Sequence, residues 1–268
     1  MNNQELEEVI TLVSHVYNFD FADYSKASLK RRFEGLMAKL YFSVFDLKTK
    51  IINDPAFFEE LLNNVTVNVT EMFRDAEFFK SIVSKVIPYL KSYQRIKVWN
   101  AGVATGEELY SFSILFKDAN IYNRAFFYGT DINTKVLAAA KTGIYDLKKM
   151  KTFAENYAEL KLSHPLANYF TVKYNHAIIT EELRKNCLFS VHNLNSDGVF
   201  NEFQLVICRN VLIYFNLELQ TKVINLLVDS LCVFGFLCLG SKEVIRNDEL
   251  QQRLKVIDKK QNIYQKIR

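Results

Sequence analysis

The sequence predicts an α/β protein in which a small helical domain precedes a larger, mostly parallel sheet. In the first third, apolar residues recur at helical spacing, and from residue 96 onward short apolar runs alternate with helical segments. Strands that alternate with helices form parallel sheets covered by helices on both faces. The 268 residues suffice for two moderate domains. We place their boundary after residue 75, as 1–75 and 76–268.

The helical domain is predicted from a pronounced amphipathic pattern. Apolar residues occupy one face of a helix, and Lys30, Arg31 and Arg32 take its other faces. These apolar residues are Leu29, Phe33, Leu36, Met37 and Leu40. Two further helices are predicted at 56–62 and 76–90, with a loop or short extended piece at 63–70.

The sheet domain is predicted from short apolar runs separated by helical segments. We expect strands at 96–100, 126–130, 188–192, 203–208 and 234–240. We expect intervening helices at 107–116, 134–141 and 217–228. The last segments, 254–257 and 262–267, are divided by polar residues and are typical of a closing hairpin.

Composition argues against a nucleic-acid-binding, secreted, membrane-spanning or metal-binding protein. With 34 basic and 30 acidic side chains the net charge is +4, too weak and dispersed to indicate nucleic-acid binding. The four cysteines lie in apolar contexts without a C-x-x-C pair, as in reduced cytoplasmic proteins. The N-terminus is acidic and polar, unlike a signal peptide, and the apolar run at 231–239 is too short to span a membrane. The four histidines lack metal-ligand spacing, so we expect no metal site.

The turn after the first predicted strand is the candidate ligand site, because ligands of open parallel sheets lie beyond the strands' carboxyl ends. Gly102 and Gly106 let the backbone approach a ligand, but the turn lacks the G-x-G-x-x-G dinucleotide pattern. Glu107 and Glu108 head the next helix, where they would repel a pyrophosphate. A positively charged nucleoside such as S-adenosylmethionine is compatible, and Asp131 lies near the spacing of a ribose-binding acid. Ordinary helix-capping carboxylates and a turn aspartate remain the alternative.

Four segments in order resemble the CheR family, the S-adenosylmethionine-dependent chemotaxis receptor methyltransferases. They are 68–74 (NVTEMFR), 99–111 (WNAGVATGEELYS), 129–134 (GTDINT) and 207–215 (ICRNVLIYF), with a weaker fifth at 239–243 (LGSKE). The similarity covers almost the whole chain. Leu109 and Met72 stand where the family often has Pro and Phe, and neither change removes a polar contact.

The resemblance implies a Rossmann-like class I methyltransferase sheet with an N-terminal all-α domain and a small β-subdomain insertion. It implies O-methylation of glutamate side chains on the cytoplasmic helices of chemoreceptors, with S-adenosylmethionine converted to S-adenosylhomocysteine. The partner would be the receptor's cytoplasmic domain. We expect a cytoplasmic monomer in signal transduction, with no nucleic-acid partner and no direct membrane insertion.

The resemblance also implies roles for individual residues. Together with Gly102, the implied cofactor contacts are Asn68, Thr70, Arg74, Glu108, Asp131, Asn193, Leu194, Arg209 and Asn210. Arg74, Arg209 and Tyr214 would act at the reaction centre, where a guanidinium can hold one oxygen of a carboxylate. Structural salt bridges for the arginines, and a half-buried aromatic role for Tyr214, remain open.

Two surfaces bear on substrate docking. Some family members grip a receptor's C-terminal peptide with a Gly-rich loop, but the corresponding stretch 169–180 contains no glycine. We therefore expect an enzyme that needs no such tether. Lys30, Arg31 and Arg32 could steer an acidic receptor helix to the N-terminal domain, although such a run can also be a solvated helix face.

Two other functions remain as alternatives. One is a regulatory module that binds S-adenosylmethionine without transferring a methyl group; the intact Arg74, Asp131, Arg209 and Tyr214 speak against it. The other is a methyltransferase for a small molecule or a nucleic acid. The weak charge and the lack of an Asn/Asp-Pro-Pro-aromatic motif argue against base methylation.

Overall fold

A computed structural model describes residues 1–66 and 69–268, which divide into two compact units. One unit is Met1–Asn68 with Ile213–Gln220, and the other is Val69–Leu212 with Thr221–Arg268. The division thus falls at residue 68 instead of the expected 75. The segment Ile213–Gln220, far along the chain, also belongs to the helical unit, which the sequence did not predict.

The helical unit is built on four amphipathic helices, α1 (Asn3–Tyr17), α2 (Lys26–Leu40), α3 (Val44–Asn53) and α4 (Phe57–Val65). Capping boxes at Asn2 and Ser43 satisfy free backbone N–H groups at the start of α1 and α3. The predicted apolar face of α2 is buried through Leu29, Phe33, Leu36 and Met37, and only its last member, Leu40, is partly exposed.

Helix α4 extends beyond the predicted 56–62 and shortens the predicted loop. Leu61, Leu62 and Val65 continue one buried face, so burial favours a further helical turn. The helix ends when the Thr66 N–H donates to the Leu62 carbonyl in an extended cap.

The second unit contains two sheets. Their strands are β1 (Ile96–Ala101), β2 (Ala125–Asp131), β3 (Ile144–Asp146), β4 (Phe170–Lys173), β5 (His176–Ile179), β6 (Cys187–Val191), β7 (Phe203–Cys208), β8 (Leu231–Leu239), β9 (Leu254–Asp258) and β10 (Ile263–Lys266). The larger sheet has the order β6-β2-β1-β7-β8-β10-β9. Its strands β6, β2, β1, β7 and β8 are parallel, and the hairpin β9–β10 is antiparallel, as predicted. The carboxyl ends of β1, β2 and β7 therefore lie side by side.

The remaining helices are regular except for the segment 76–90, which contains a π-helical turn. They are α5 (Ala76–Ser81), α6 (Ile87–Leu90), α7 (Glu107–Asp118), α8 (Thr134–Thr142), α9 (Met150–Ala158), α10 (Glu181–Arg184), α11 (Leu217–Asp229) and α12 (Asp248–Gln252). The predicted helix 76–90 is interrupted by a π-helical segment, Ile82–Val86, in which the Ile87 N–H donates to the Ile82 carbonyl. Pro88 follows directly, and its ring cannot fit a regular α-helical turn.

Strand β8 starts three residues before the predicted 234–240. It passes through an irregularity at which Phe234 has φ +68° and Gly235 lies against backbone carbonyls. A Cβ at Gly235 would lie 2.9 Å from the Cys232 carbonyl oxygen, so only glycine allows the strand to continue.

The small sheet is the predicted β-subdomain. Its strands run antiparallel in the order β3-β5-β4, and the β4–β5 hairpin turns through Tyr174 and Asn175. None of the helices in the described part of the chain has the length and apolar content needed to cross a lipid bilayer.

Candidate active site

The turn between β1 and α7 is held tightly against the end of β2. The N–H groups of Gly102 and Val103 both donate to the Thr130 carbonyl, at 2.8 and 2.9 Å. Gly102 has φ +72°, and a Cβ there would lie 2.4 Å from Val211 Cγ2. Gly106 has φ +90° and precedes the first residue of α7. Both positions require glycine for backbone conformation and close approach.

Replacing Gly102 with alanine is expected to destabilise the protein by about 2–4 kcal/mol, from left-handed backbone strain and overpacking against Val211. The turn should also move, so binding of S-adenosylhomocysteine should weaken. Gly198 is the matched control, because a Cβ there meets nothing within 4 Å. Chemical denaturation and calorimetric titration measure both effects. Equal stability of Gly102→Ala and Gly198→Ala would contradict this account.

Asp131 ends β2 and organises two backbone segments. Its Oδ2 accepts from the Ala104 N–H at 2.9 Å, and its Oδ1 accepts from the Asn133 N–H at 3.0 Å. Burial raises the pKa of this carboxyl above its ordinary value, although the backbone N–H donors act in the opposite direction. Each carboxylate oxygen can still accept from a ribose hydroxyl.

The two glutamates at the start of α7 have different roles. Glu107 is fully buried, where it accepts from Thr105 Oγ1 at 2.6 Å and from Lys149 Nζ at 3.1 Å. The Thr105 carbonyl in turn accepts from the Tyr145 hydroxyl at 3.0 Å. Glu107 therefore has a structural role, while the Glu108 side chain points to the ends of β1 and β7.

Glu108 belongs to a chain of charged side chains centred on the buried Arg209 at those strand ends. Its Oε2 accepts from Arg209 Nη1 at 2.6 Å, and its Oε1 accepts from Asn100 Nδ2 at 3.1 Å. Arg209 Nη2 donates to Asp75 Oδ2 at 2.6 Å. Burial alone would lower the pKa of Arg209, but the two carboxylates raise it above its ordinary value. Arg209 thus forms the structural salt bridges that the sequence left open.

Arg74 is presented by a short loop with unusual backbone geometry. Its neighbours Phe73 and Asp75 both have left-handed conformations, with φ +54° and +64°. The Phe73 N–H donates to Ser111 Oγ at 2.9 Å, which fixes the loop to α7. Arg74 itself is exposed and has no polar partner among the described residues, so its guanidinium is available to a ligand.

Other predicted cofactor contacts lie on three loops. Thr70 is partly exposed on the segment before Arg74, and Asn68 lies outside the described residues. Asn193 and the buried Leu194 follow β6, where the Asn193 N–H donates to Asp197 Oδ2 at 2.9 Å. The preceding His192 N–H donates to the Asp131 carbonyl at 3.2 Å. This backbone bond links the loop after β6 to the end of β2.

Asn210 lies on a loop that a buried carboxylate holds in place. Asn210 has φ +61°, and its N–H donates to Glu243 Oε2 at 3.1 Å. Glu243 Oε1 accepts from the N–H groups of Val211 and Leu212, at 2.8 and 2.7 Å, and Gly240 donates to the same side chain. Glu243 is only 2% exposed. Its position at the end of the weaker motif, 239–243, did not by itself predict this role.

Tyr214 belongs to the helical unit and not to the sheet domain in which the sequence placed it. Its carbonyl accepts from the Ser25 N–H at 2.8 Å, and the next residue, Phe215, bridges to Tyr24. The motif at 207–215 is therefore divided between the two units, with Arg209 in the sheet unit and Tyr214 in the helical unit. The sequence could not show this, because the Ser25 contact is remote in the chain.

The three basic residues predicted for docking lie on α2 in the helical unit. Arg31 is exposed, and Lys30 and Arg32 are partly exposed. Arg31 and Arg32 line a concavity of about 370 Å³ between α2 and α4, together with Gly35, Leu36 and Asn64. Arg32 Nε is buried there without a hydrogen-bond partner among the described residues.

The residues around the turn fit a cationic nucleoside cofactor. Gly102 leaves backbone accessible, Glu108 and Asp131 supply negative charge, and Asn100 Oδ1 is buried without a hydrogen-bond partner among the described residues. Such carboxylates disfavour a pyrophosphate and favour a sulfonium and an amino group.

Two family models match this chain consecutively. The CheR methyltransferase all-alpha domain matches residues 4–66, and the CheR methyltransferase SAM binding domain matches residues 68–263. The chain belongs to the CheR methyltransferase family. The predicted family, fold class and cofactor are confirmed: this is an S-adenosylmethionine-dependent methyltransferase of the chemotaxis type.

Relatives in the CheR family align over most of the chain. A Pseudomonas putida protein named "Putative methyltransferase Cher3" is 41% identical over 263 residues, covering 98% of this chain and 96% of its own length. A Listeria monocytogenes "Chemotaxis protein methyltransferase" is 27% identical over 239 residues, with 88% of each chain covered. The glycopeptide N-methyltransferase MtfA, solved with S-adenosylmethionine, is 12% identical with a TM-score of 0.37; the match covers 65% of this chain and 51% of MtfA.

Proposed function

We propose that this protein transfers methyl groups to glutamate side chains on the cytoplasmic helices of chemoreceptors. The names of its relatives support a chemotaxis role. Arg74 carries the proposal within the structure, since it is an exposed guanidinium without a partner in the described chain and lies beside the Asp75–Arg209–Glu108 ion pairs. A guanidinium so placed suits an anionic acceptor such as a carboxylate.

The chemistry requires alignment of the acceptor more than proton transfer. Bound S-adenosylmethionine supplies an electrophilic methyl group on a sulfonium. A glutamate side chain is ionised near neutral pH, so it attacks without a general base. Arg74 would hold one carboxylate oxygen of the acceptor and leave the other free to attack. Glu108, Asp131 and the glycine turn would fix the cofactor.

Transfer of labelled methyl groups to a chemoreceptor cytoplasmic fragment tests this proposal. Arg74→Ala is expected to lower the turnover number by roughly 10- to 100-fold, because it removes a charge-assisted hydrogen bond of about 1.5–3 kcal/mol. Arg124→Ala is the matched control, since Arg124 is partly exposed in the same unit and its guanidinium donates to the Lys91 carbonyl, away from the proposed site. Cofactor binding without transfer to any of several fragments would favour a silent binding module. Equal rates for both variants would remove Arg74 from the reaction centre.

We further propose that the receptor docks through the basic face of α2 and needs no tail tether. Arg31→Glu is expected to raise the KM for the receptor fragment about fivefold, with the effect shrinking as ionic strength rises. Lys151→Glu, exposed on α9, changes the net charge equally and should leave KM unchanged. Fragments with and without the receptor's C-terminal tail should react equally, since the β4–β5 turn lacks glycine. A salt-independent effect, or loss of activity without the tail, would contradict these proposals.

A further inference from the structure

We infer that Arg209 is a positioning residue that couples the cofactor pocket to the loop presenting Arg74. The inference rests on the proposed contact between Glu108 and the cofactor. Arg209 is adjacent to β7, Glu108 is on α7, and Asp75 precedes α5, so one guanidinium joins three separate segments. Asp75 directly follows Arg74 in the chain.

Both terminal nitrogens of Arg209 are engaged in this link, while its buried Nε has no hydrogen-bond partner among the described residues. Its side chain is 2% exposed, its Nη1 donates to Glu108 and its Nη2 donates to Asp75, each at 2.6 Å. Its Cζ lies 3.9 Å from the centroid of the Phe78 ring, which holds the guanidinium plane from one side. A group so committed orients other residues instead of contacting the methyl acceptor.

The arrangement requires arginine and not merely a positive charge. The two donors point to different carboxylates from opposite branches of one rigid plane, which a lysine ammonium cannot reproduce. Glu108 has a second partner, Asn100, whose Oδ1 has no hydrogen-bond partner among the described residues. A cofactor group that contacts Glu108 would therefore change the electrostatic environment of Arg209, which shares that carboxylate.

The Asp75 end of the link is the more solvent-exposed one. The Asp75 side chain is 46% exposed, whereas that of Glu108 is 15% exposed. Asp75 also has a left-handed backbone, so its ion pair helps to maintain the turn after Arg74. When the cofactor fixes Glu108, Arg209 transmits that order to Asp75 and thus to Arg74. The cofactor-loaded enzyme then presents a fixed guanidinium to the acceptor.

Hydrogen exchange with and without S-adenosylhomocysteine tests the coupling directly. In the wild type, ligand binding should slow exchange of the amides at 72–76 about tenfold. Asp75→Gly suits the left-handed backbone but removes the carboxylate, and the ratio of rates with and without ligand should then fall below about threefold. Asp75→Asn keeps an acceptor for Arg209 and should give an intermediate ratio.

Glu77→Gln is the matched control, because it removes an exposed ion pair with Lys80 at the start of α5 and leaves the Asp75–Arg209 pair in place. It should retain the wild-type ratio. Amides at 104–109 should be protected equally in all variants. An unchanged ratio at 72–76 in Asp75→Gly would overturn the coupling, because direct contact of the ligand with Arg74 or Thr70 would then explain the protection.

Calorimetric titration separates failure of this inference from failure of the cofactor contact. If Glu108→Gln binds S-adenosylhomocysteine as tightly as the wild type, the proposed contact and the coupling both fail. In activity assays, Asp75→Gly should raise the KM for the receptor fragment more than it raises the dissociation constant of the ligand. Arg209→Lys should lose the exchange coupling even where the protein stays folded. Retained coupling in a folded Arg209→Lys would also overturn the inference.

Discussion

Asp131→Ala is expected to weaken binding of S-adenosylhomocysteine on the order of 10³-fold. The carboxylate would lose two charge-assisted hydrogen bonds to ribose hydroxyls, each worth about 2 kcal/mol. The substitution also removes the acceptor of the Ala104 and Asn133 N–H groups, so the turn loses its anchor on β2. Calorimetric titration measures the dissociation constant.

Asp146→Ala is the matched control. Asp146 also ends a strand and accepts from the N–H two residues later, at 2.8 Å from Lys148, but it lies on β3 in the small sheet. It should bind the ligand as the wild type does. A loss of less than about tenfold for Asp131→Ala would exclude a charge-assisted ribose contact.

The same carboxyl predicts a pH dependence of ligand binding. Burial raises the pKa of Asp131 in the free protein, and hydrogen bonds from a ligand to the ionised form lower it again. Affinity should therefore be fully present above the raised pKa and fall as pH decreases through it, starting at a higher pH than for an ordinary aspartate. The contribution of Asp131 to folding stability depends on pH in the opposite direction. Because its pKa is raised in the folded protein, protonation favours the folded state, and this stabilisation is lost as pH rises through the raised pKa. Asp131→Asn has no carboxyl to titrate, so its affinity for the ligand should not show this fall as pH decreases.

Glu243→Ala is expected to destabilise the protein by about 3–5 kcal/mol. The buried side chain accepts from four backbone N–H groups, and alanine leaves these donors without their acceptor. The loop containing Asn210 should also become mobile, so ligand affinity should fall together with stability. Denaturant unfolding measures the change in the free energy of unfolding.

Glu243→Gln and Glu249→Ala complete this test. Glutamine retains one acceptor oxygen but turns an amide donor towards backbone N–H groups. The loss of stability in Glu243→Gln should therefore lie between those of the wild type and Glu243→Ala. Glu249 is exposed in the first turn of α12, and its truncation should change stability by less than about 0.5 kcal/mol. If Glu243→Ala matched Glu249→Ala, the buried cluster would not hold the loop.

The sequence predicted the large sheet and the glycine turn after β1 well because both depend on local signals. Apolar runs identify β1, β2 and β7, and glycines with following carboxylates identify the turn. The predicted bounds of helices were less accurate where burial of an apolar face or a proline determined where the helix ends or changes its geometry. Helix α4 continues along a buried face, and the segment before Pro88 widens into a π-helix.

Roles that depend on distant partners could not be predicted in this way. Glu107 and Glu108 are neighbours of the same type, yet Lys149 engages the first and Arg209 the second. Residue type and spacing could not distinguish them, because their partners lie far along the chain, and only the family resemblance singled out Glu108. Tyr214 likewise belongs to the helical unit through a backbone bond to Ser25. The Glu243 cluster had a local signal, a glycine and a glutamate after a buried strand, but no motif rule assigns that pattern a function.

Tandem mass spectrometry of a methylated receptor fragment tests the central claim most directly. The fragment would be incubated with this protein and S-adenosylmethionine, digested, and compared before and after mild base. We expect the methyl group on glutamate side chains within the acidic helices, lost on base treatment as an ester must be, and much reduced with Arg74→Ala. A base-stable methyl group on nitrogen, or transfer to RNA or a metabolite but not to protein, would contradict a protein-glutamate O-methyltransferase.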